Sequence, residues 1–217
     1  MLPFPSESNN GLLELKNSIT GKTINIVKPA TLNNIHDIDE PLRQRMANGD
    51  DRALGELMDR HMHKIHGTAY RMLGDNMKAE DVTQMVFLKL WQMAPTWETG
   101  RGTILTYLYR ITNHRCLDIL RKAKESLPGE LPDIADESAS AFNEVARTEQ
   151  SERVQYALEQ LPDRQRAAIT LFYYEHQSLK MAADILNITP SAFESLLRRG
   201  RKSLKSLLTP EPLKHLT

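Results

Sequence analysis

Apolar side chains recur at helical spacing over most of the chain from Asp50 onward. In GDDRALGELMDRHMHKIHGTAYRMLGD, residues 49–75, the apolar residues lie three, four or seven positions apart and therefore share one helix face. Asp50 is a suitable N-cap for this helix, and Gly74 is a suitable stop. The predicted apolar face consists of Leu54, Leu57, Met58, Ile65, Ala69 and Met72.

Two more helices are predicted before residue 126. The first runs from about Met77 to Met93 and follows Asp75 and Asn76, which are both suitable caps. The segment PTWETGRGT comes next and is predicted to be a loop, because its proline and glycines disfavour regular structure. The other helix runs from about Ile104 to Lys124, with Thr103 as its cap.

The second half of the chain regains helical periodicity from Ser151 and includes a helix capped near Asp163. Asn187 lies where the chain must turn sharply between two helices, since asparagine tolerates the left-handed backbone conformation. Thr189 is a suitable N-cap for the last helix, and Pro190 suits its first position. A short helix, a tight turn and a second helix with a polar outer face predict a helix-turn-helix.

These elements predict an all-α protein of two small helical domains joined by a flexible acidic linker. KTINIV, residues 22–27, has the composition of a short strand, but no other segment is an evident partner for it. The predicted division is a poorly ordered extension at 1–41, a first helical domain at 42–125, the linker at 126–150, a second helical domain at 151–208 and a tail at 209–217.

The charges are balanced overall but unevenly distributed. The chain has 28 Lys and Arg residues against 28 Asp and Glu residues, so overall charge indicates no partner. Residues 42–125 hold 14 basic and 10 acidic side chains, residues 126–150 hold 1 and 6, and residues 151–208 hold 9 and 6. Two basic blocks on either side of an acidic one favour nucleic-acid contact by both domains.

HMHKIH, residues 61–66, is the segment that most resembles a metal site. At about 100° per residue, His61 lies within the apolar stripe, His63 points to the opposite side and His66 lies on the flank. The three rings cannot share one ion, and at most His63 and His66 could form a weak site. The sequence also lacks a Gly-rich phosphate loop, a CxxC pair and a nucleophile elbow, so we predict no enzyme, no metal site and no cofactor.

The single cysteine, Cys116, excludes an intramolecular disulfide and fits a reducing compartment; we interpret it as a small core residue. MLPFPSESNN at the N-terminus lacks the basic start and apolar run of a secretory signal. No stretch approaches the length of a transmembrane helix. We therefore expect a cytoplasmic protein without membrane insertion.

Four segments follow one another along the chain: AEDVTQMVFLKLW, ETGRGTILTYLYRITNHRCLDILRK, LPDRQRAAITLFYYE and the helix-turn-helix. Together they resemble bacterial RNA polymerase sigma factors of the sigma-70 family. The resemblance is to the small extracytoplasmic-function (ECF) type, which keeps only region 2 and region 4, and it covers roughly residues 50–208. It implies that the first domain is region 2, the second is region 4, and the acidic linker is the family's connector.

The resemblance implies roles for three sets of residues. The helix at 77–93 would dock on the coiled coil of the polymerase β′ subunit through Asp81, Gln84, Met85, Phe87, Leu88 and Trp91. The following loop and helix would capture and melt the promoter −10 element through Trp97, Arg101, Thr103, Tyr107, Arg110, Asn113 and Arg115. Region 4, which also meets the polymerase β flap, would bind the −35 element through Ser191, Ala192, Glu194, Ser195, Arg198, Arg199, Arg201 and Lys202.

The sequence departs from the family pattern at several of these positions. Ile104 and Tyr107 stand where Phe and Trp are usual, and Met85 replaces a frequent Glu. Glu194 and Leu196 stand where Lys and Arg are frequent. A carboxylate at position 194 disfavours phosphate contact, although it can accept a hydrogen bond from a cytosine amino group.

The leading interpretation is a sigma factor that binds core RNA polymerase and directs promoter recognition, strand opening and transcription initiation. An anti-sigma factor is a further candidate partner. The alternative is a free-standing helix-turn-helix regulator, which leaves the apolar helix around 82–91 without a partner. Replacing Asp81 and Gln84 with alanine separates the two interpretations, because only the first predicts weaker polymerase binding.

Overall fold

The computed structural model describes residues 12–16, 23–27, 37–97, 102–126 and 149–209. Several parts of the predicted organisation lie outside the described residues. They are Arg101 of the −10 set, residues 127–148 of the linker, residues 210–217 of the tail and most of the segment 1–36.

Helices dominate both halves of the described chain, which confirms the all-α architecture. The first half contains α1 (Glu40–Ala47), α2 (Asp51–Leu73), α3 (Asn76–Met93) and α4 (Ile104–Glu125). The second half contains α5 (Glu149–Glu159), α6 (Asp163–Ile169), α7 (Leu179–Ile185) and α8 (Pro190–Leu208).

The predicted start and stop residues of the first domain's long helices are confirmed. The Asp50 side chain caps α2 by accepting from Arg52 N at 3.1 Å. Gly74 ends the same helix in the left-handed conformation with φ 70°. Asp75 then caps α3, and Thr103 caps α4.

Helix α1 was not predicted, and it extends the first domain towards the N-terminus. Pro41 in its first turn and the spacing of Leu42 and Met46 are the sequence features that favour this helix. Just before it, Asp37 Oδ2 accepts from the backbone N–H of Ile104 at 2.9 Å, at the start of α4. Residues 37–41, which we assigned to the extension, are therefore part of the first domain's fold.

The described part of the extension contains a β-hairpin. Strand β1 (Leu12–Lys16) pairs with β2 (Thr23–Val27) in antiparallel register, with residue 12 opposite residue 27. The expectation that KTINIV has no partner is wrong, because LLELK supplies a strand of equal length six residues upstream.

The core of the first domain is built around α2, which packs against α1, α3 and α4. The predicted stripe of α2 is the buried one, and α3 and α4 contribute one apolar face each. The main core residues are Leu57, Ile65, Met72, Val82, Val86, Leu90, Ile104 and Leu108.

The second domain packs α8 against α6 and α7, and its core joins that of the first domain in one continuous cluster. Helix α6 begins at Asp163 with Pro162 as its N-cap, so the predicted side-chain cap near Asp163 is wrong. The Asp163 carboxylate instead binds Lys124 Nζ of α4 at 2.7 Å. After α6 the chain forms a single π-turn, Thr170–Tyr174, which ends at Glu175.

None of the helices in the described ranges is long and apolar enough to cross a bilayer.

Candidate nucleic-acid and polymerase interfaces

Helix α3 carries an exposed stripe on the side away from the core. Asp81, Gln84 and Leu88 are exposed and lie three and four residues apart, so they share one face. Leu88 is 55% exposed, so the stripe includes an accessible apolar side chain. Met85 and Trp91 border this stripe and are half-buried. The stripe combines polar and apolar groups in the way expected of a surface that another protein covers.

Phe87 does not belong to that surface. It is 2% exposed and packs in the core of the first domain. Its position follows from helix geometry, because Phe87 and the buried Val86 and Leu90 occupy the side of α3 that faces α2. We therefore remove Phe87 from the predicted docking set.

Two aromatic rings meet beside the start of α4. Trp97 and Tyr107 meet edge to face, with ring centroids 4.8 Å apart and an interplanar angle of 82°. Both rings are half-buried, so each keeps an accessible surface. Thr103 caps α4 between them by accepting from Thr106 N at 3.2 Å. Rings fixed in this way can stack on unpaired bases, as single-strand binding requires.

The remaining described members of the −10 set differ in accessibility. Arg115 is exposed. Arg110 is also exposed, and its Nη2 donates to the backbone oxygen of Asp184 in the second domain at 3.4 Å. Asn113 is fully buried and donates from Nδ2 to Tyr109 O at 2.9 Å. In this arrangement Asn113 cannot touch DNA, which corrects its expected placement on the surface.

The helix-turn-helix forms as predicted. Asn187 adopts the left-handed conformation at φ 52°, and the Thr189 side chain caps α8 by accepting from Ala192 N at 3.2 Å. Gly200 lets α8 approach α6 closely, since a Cβ there would lie 3.0 Å from Ile169 Cγ1. This close approach fixes which face of α8 points to solvent.

The outer face of α8 carries the predicted −35 set. Phe193, Leu197 and Gly200 are buried against the second domain. The predicted residues lie on the other side, and all are exposed except Ser195, which is half-buried: Ser191, Ala192, Glu194, Ser195, Arg198, Arg199, Arg201 and Lys202. At about 100° per residue, Ser191, Ser195, Arg198 and Lys202 form the centre line, and Glu194 lies on one flank.

His61 packs in the first domain, as its place in the predicted apolar stripe implied. His61 is 3% exposed, and its Nε2 lies 2.6 Å from Oδ2 of the buried Asp39, which also pairs with Arg60. His63 is exposed on the opposite side. Within the part of the chain that the structure describes, no group of three or more His, Cys, Asp or Glu side chains could hold a metal ion.

Both domains match family models. The model described as "Sigma-70 region 2" matches residues 57–126, and the model described as "Sigma-70, region 4" matches residues 151–204. The chain belongs to the sigma-70 family. The two matches occur in the order that the sequence resemblance implied, and a stand-alone helix-turn-helix regulator does not account for the region 2 match.

Curated relatives of this sigma factor match 76–79% of its chain. It is 28% identical over 176 residues to the ECF RNA polymerase sigma factor SigW of Bacillus subtilis (strain 168), with 76% of this chain and 94% of the relative covered. It is also 28% identical over 176 residues to the ECF RNA polymerase sigma factor SigK of Mycobacterium tuberculosis (strain ATCC 25177 / H37Ra), covering 79% and 94%.

Two solved structures share the fold. CnrH in complex with the cytosolic domain of CnrY has a TM-score of 0.61 at 25% identity, covering 78% of this chain and 96% of that chain. RpoE of Bartonella quintana, in complex with the anti-sigma factor NepR, has a TM-score of 0.59 at 20% identity, covering 73% and 98%.

Sequence reasoning missed the polar residues that join region 2 to region 4. Glu175 lies against Arg71 and Tyr109 of region 2, and Arg166 binds the carbonyl of Met72 at the end of α2. Glu175 follows an apolar and aromatic run, which is the one feature of the sequence that could have marked it as a buried carboxylate. Its partners lie more than sixty positions away, so no local pattern reveals them.

Proposed function

We propose that this sigma factor binds core RNA polymerase through the exposed stripe of α3 and delivers it to promoters that carry matching −10 and −35 elements. The observation that carries the proposal is the pairing of a region 2 match and a region 4 match on one chain, with surfaces left exposed on α3 and α8. The protein would act in the cytoplasm, where core polymerase is found, and would have no catalytic activity of its own.

Within region 2, the Trp97 and Tyr107 rings form the stacking platform for the melted −10 strand. Extruding a base costs a few kcal/mol, which stacking on a fixed ring can offset. Arg110 and Arg115 would contact the phosphates that flank this strand. Tyr107 has one ring where the family usually has the larger Trp, so we expect weaker stacking at that position.

Within region 4, α8 would enter the major groove with its exposed face. Arg198 and Lys202 on the centre line would contact base edges and phosphates, and Arg199 and Arg201 would contact phosphates on either side. Glu194 lies on the flank, where it would reduce non-specific affinity.

We also propose an anti-sigma factor as a regulator of this protein. The similar structures of CnrH and RpoE were each solved with a second protein, the cytosolic domain of CnrY and the anti-sigma factor NepR respectively.

Polymerase docking is tested by replacing Asp81 and Gln84 with alanine together and measuring binding of purified core enzyme. The double variant should lose most of its affinity, because both groups lie on the stripe that the polymerase would cover. The matched control replaces Asp59 and His63, two exposed residues of α2, with alanine and should bind core like the wild type. Equal core binding by the docking variant and the control would contradict the proposed surface.

A further inference from the structure

The short segment 37–43, which leads into α1 and forms its first turn, contacts the chain on both sides of the Trp97–Tyr107 ring pair. The Asp37 carboxylate binds the backbone at the start of α4, which carries the Tyr107 ring. The Arg43 guanidinium binds the backbone of the turn that ends at Trp97. One segment therefore links the two backbone elements from which the rings project.

Asp37 binds two backbone N–H groups at once. Its Oδ2 accepts from Ile104 N at 2.9 Å, and its Oδ1 accepts from Asp39 N at 3.1 Å. The first N–H groups of a helix have no partner within the helix, and Thr103 accepts that of Thr106. Asp37 therefore supplies a second cap for α4, and its negative charge suits the positive end of the helix dipole.

Arg43 holds the backbone on the other side of the ring pair. It is 6% exposed, and its Nη1 donates to Ala94 O at 3.4 Å. The same carbonyl accepts from Trp97 N at 3.5 Å and so closes the single 3₁₀ turn Ala94–Thr96. Glu40 orients the guanidinium by accepting from its Nε at 2.8 Å and from its Nη2 at 2.5 Å. Arg43 therefore fixes the turn from which the backbone continues to Trp97.

The segment 37–43 is itself anchored in the first domain. Asp39 is 2% exposed, and its Oδ2 lies 2.6 Å from Nε2 of the buried His61 of α2. Its other carboxylate oxygen pairs with Arg60. Leu42 and Met46 add apolar side chains to the core. The segment therefore has a fixed position against α2, and both sides of the ring pair are held from that position.

A fixed distance between the two rings favours their use as a stacking platform. The rings meet edge to face with centroids 4.8 Å apart, and a platform that is already ordered loses less entropy when an unpaired strand binds. A carboxylate beside a DNA-binding surface disfavours the approach of phosphates. The hydrogen bonds of Asp37 give a physical reason for placing one there.

We propose that Asp37 and Arg43 are positioning residues for capture of the −10 strand, which hold the Trp97 and Tyr107 rings at the distance that stacking on unpaired bases requires. Neither side chain has to touch DNA. The proposal rests on the stacking role proposed for the two rings. It extends the strand-capturing machinery to a segment that precedes the region 2 match at residues 57–126.

The effect on ring position is tested by fluorine NMR of the free full-length protein labelled with 5-fluorotryptophan. The chain has two tryptophans, so Trp91 is an internal reference for Trp97, and the variants Trp91→Phe and Trp97→Phe assign the two resonances. Asp37→Ala removes both acceptors, and Arg43→Met removes the donor but keeps the buried apolar stem. Each variant should shift or broaden the Trp97 resonance and leave the Trp91 resonance in place.

Two variants serve as matched controls. Asp51→Ala removes an exposed carboxylate from the first turn of α2. Arg45→Met removes a partly exposed guanidinium of α1, which pairs with Asp50 and Glu56. Neither control should move the Trp97 resonance, because neither side chain contacts the backbone beside the rings. Circular dichroism shows whether each variant keeps its helical content.

The effect on strand capture is tested with the holoenzyme formed from core polymerase and each full-length variant. The probe is the labelled single non-template strand of a promoter that transcript mapping with the wild-type protein has identified. Asp37→Ala should bind this strand about tenfold more weakly, because α4 loses a charge-assisted hydrogen bond at its start. If Asp37 acted only through its charge, removing it would strengthen binding instead.

A double-mutant cycle shows whether Asp37 acts through the ring. Asp37→Ala combined with Trp97→Ala should bind the strand little more weakly than Trp97→Ala alone, because the positioned ring is already gone. Fully additive losses would overturn the positioning role, as would stronger strand binding by Asp37→Ala.

The fluorine spectra decide the proposal independently of DNA. A Trp97 resonance that is unchanged in both Asp37→Ala and Arg43→Met would overturn it. Full strand affinity in Trp97→Ala would count against the proposed stacking function instead. Because the spectra need neither polymerase nor promoter, failure of the positioning role and failure of the proposed function remain distinguishable.

Discussion

The two helices assigned to promoter contact differ in how they present their residues. On α8 nearly the whole predicted set is exposed, whereas on α4 Asn113 is buried and both Thr106 and Tyr109 contact the other domain. The recognition helix can therefore meet duplex DNA as it stands. Part of α4, by contrast, is covered by region 4 through the contacts of Thr106 and Tyr109.

The difference has a simple origin in the sequence. Helix α8 buries one face, through residues such as Phe193 and Leu197, and leaves its other face to basic side chains. Helix α4 buries two faces, because Ile104 and Leu108 pack in its own domain while Thr106 and Tyr109 face region 4. A helix with two buried faces requires two partners, and the second partner of α4 is region 4.

The largest expected effect comes from removing the anchor of α8. Phe193→Ala should destabilise region 4 by about 3–5 kcal/mol, because it leaves a large cavity under the recognition helix. Chemical denaturation followed by circular dichroism measures this loss. Leu207→Ala, at a 47% exposed position of the same helix, should change stability by no more than about 0.5 kcal/mol. Equal losses in the two variants would mean that Phe193 does not anchor α8.

A smaller loss of stability is expected from removing the hydrogen bonds that Arg166 makes between the two domains. Arg166→Met should cost about 2–3 kcal/mol, because the carbonyls of Met72, Glu159 and Leu161 lose a charged donor. Arg164→Met, two positions away on the same helix and exposed, is the matched control and should be near neutral. The same denaturation assay compares the two variants. An unchanged stability of Arg166→Met would show that the contact of Arg166 with the end of α2 does not stabilise the packing of the two domains.

Much of this fold could be predicted from local patterns, while the covered face of α4 could not. Several helix ends follow from the conformational and capping preferences of single residues, and the structure confirms these ends at Asp50, Gly74, Thr103 and Asn187. Helix α1 escaped prediction because an eight-residue helix carries too few apolar positions for a clear period.

The polar contacts between region 2 and region 4 escaped prediction for a different reason. Glu175 and Arg166 act on residues of the other domain, and charged side chains in a sequence normally indicate solvent exposure. Phe87 and Asn113 were misplaced in the same way, since the family resemblance names residues without saying which face of a helix is covered.

The smallest effect is expected on the affinity of the free protein for duplex DNA. It compares the loss of one arginine on α8 with the loss of one arginine on α4. Arg198→Ala should lower the slope of log affinity against log salt by about one unit, because one phosphate contact is lost. Arg110→Ala should leave the slope unchanged, since Arg110 donates to the backbone oxygen of Asp184 rather than to a phosphate. A reduced slope in both variants would contradict the contrast between the two helices.

Run-off transcription with purified core polymerase on a genomic promoter library tests the central claim most directly. Adding this protein should produce transcripts whose start sites share two upstream elements, one near −10 and one near −35. Transcripts no more abundant or more specific than those of core enzyme alone would contradict it.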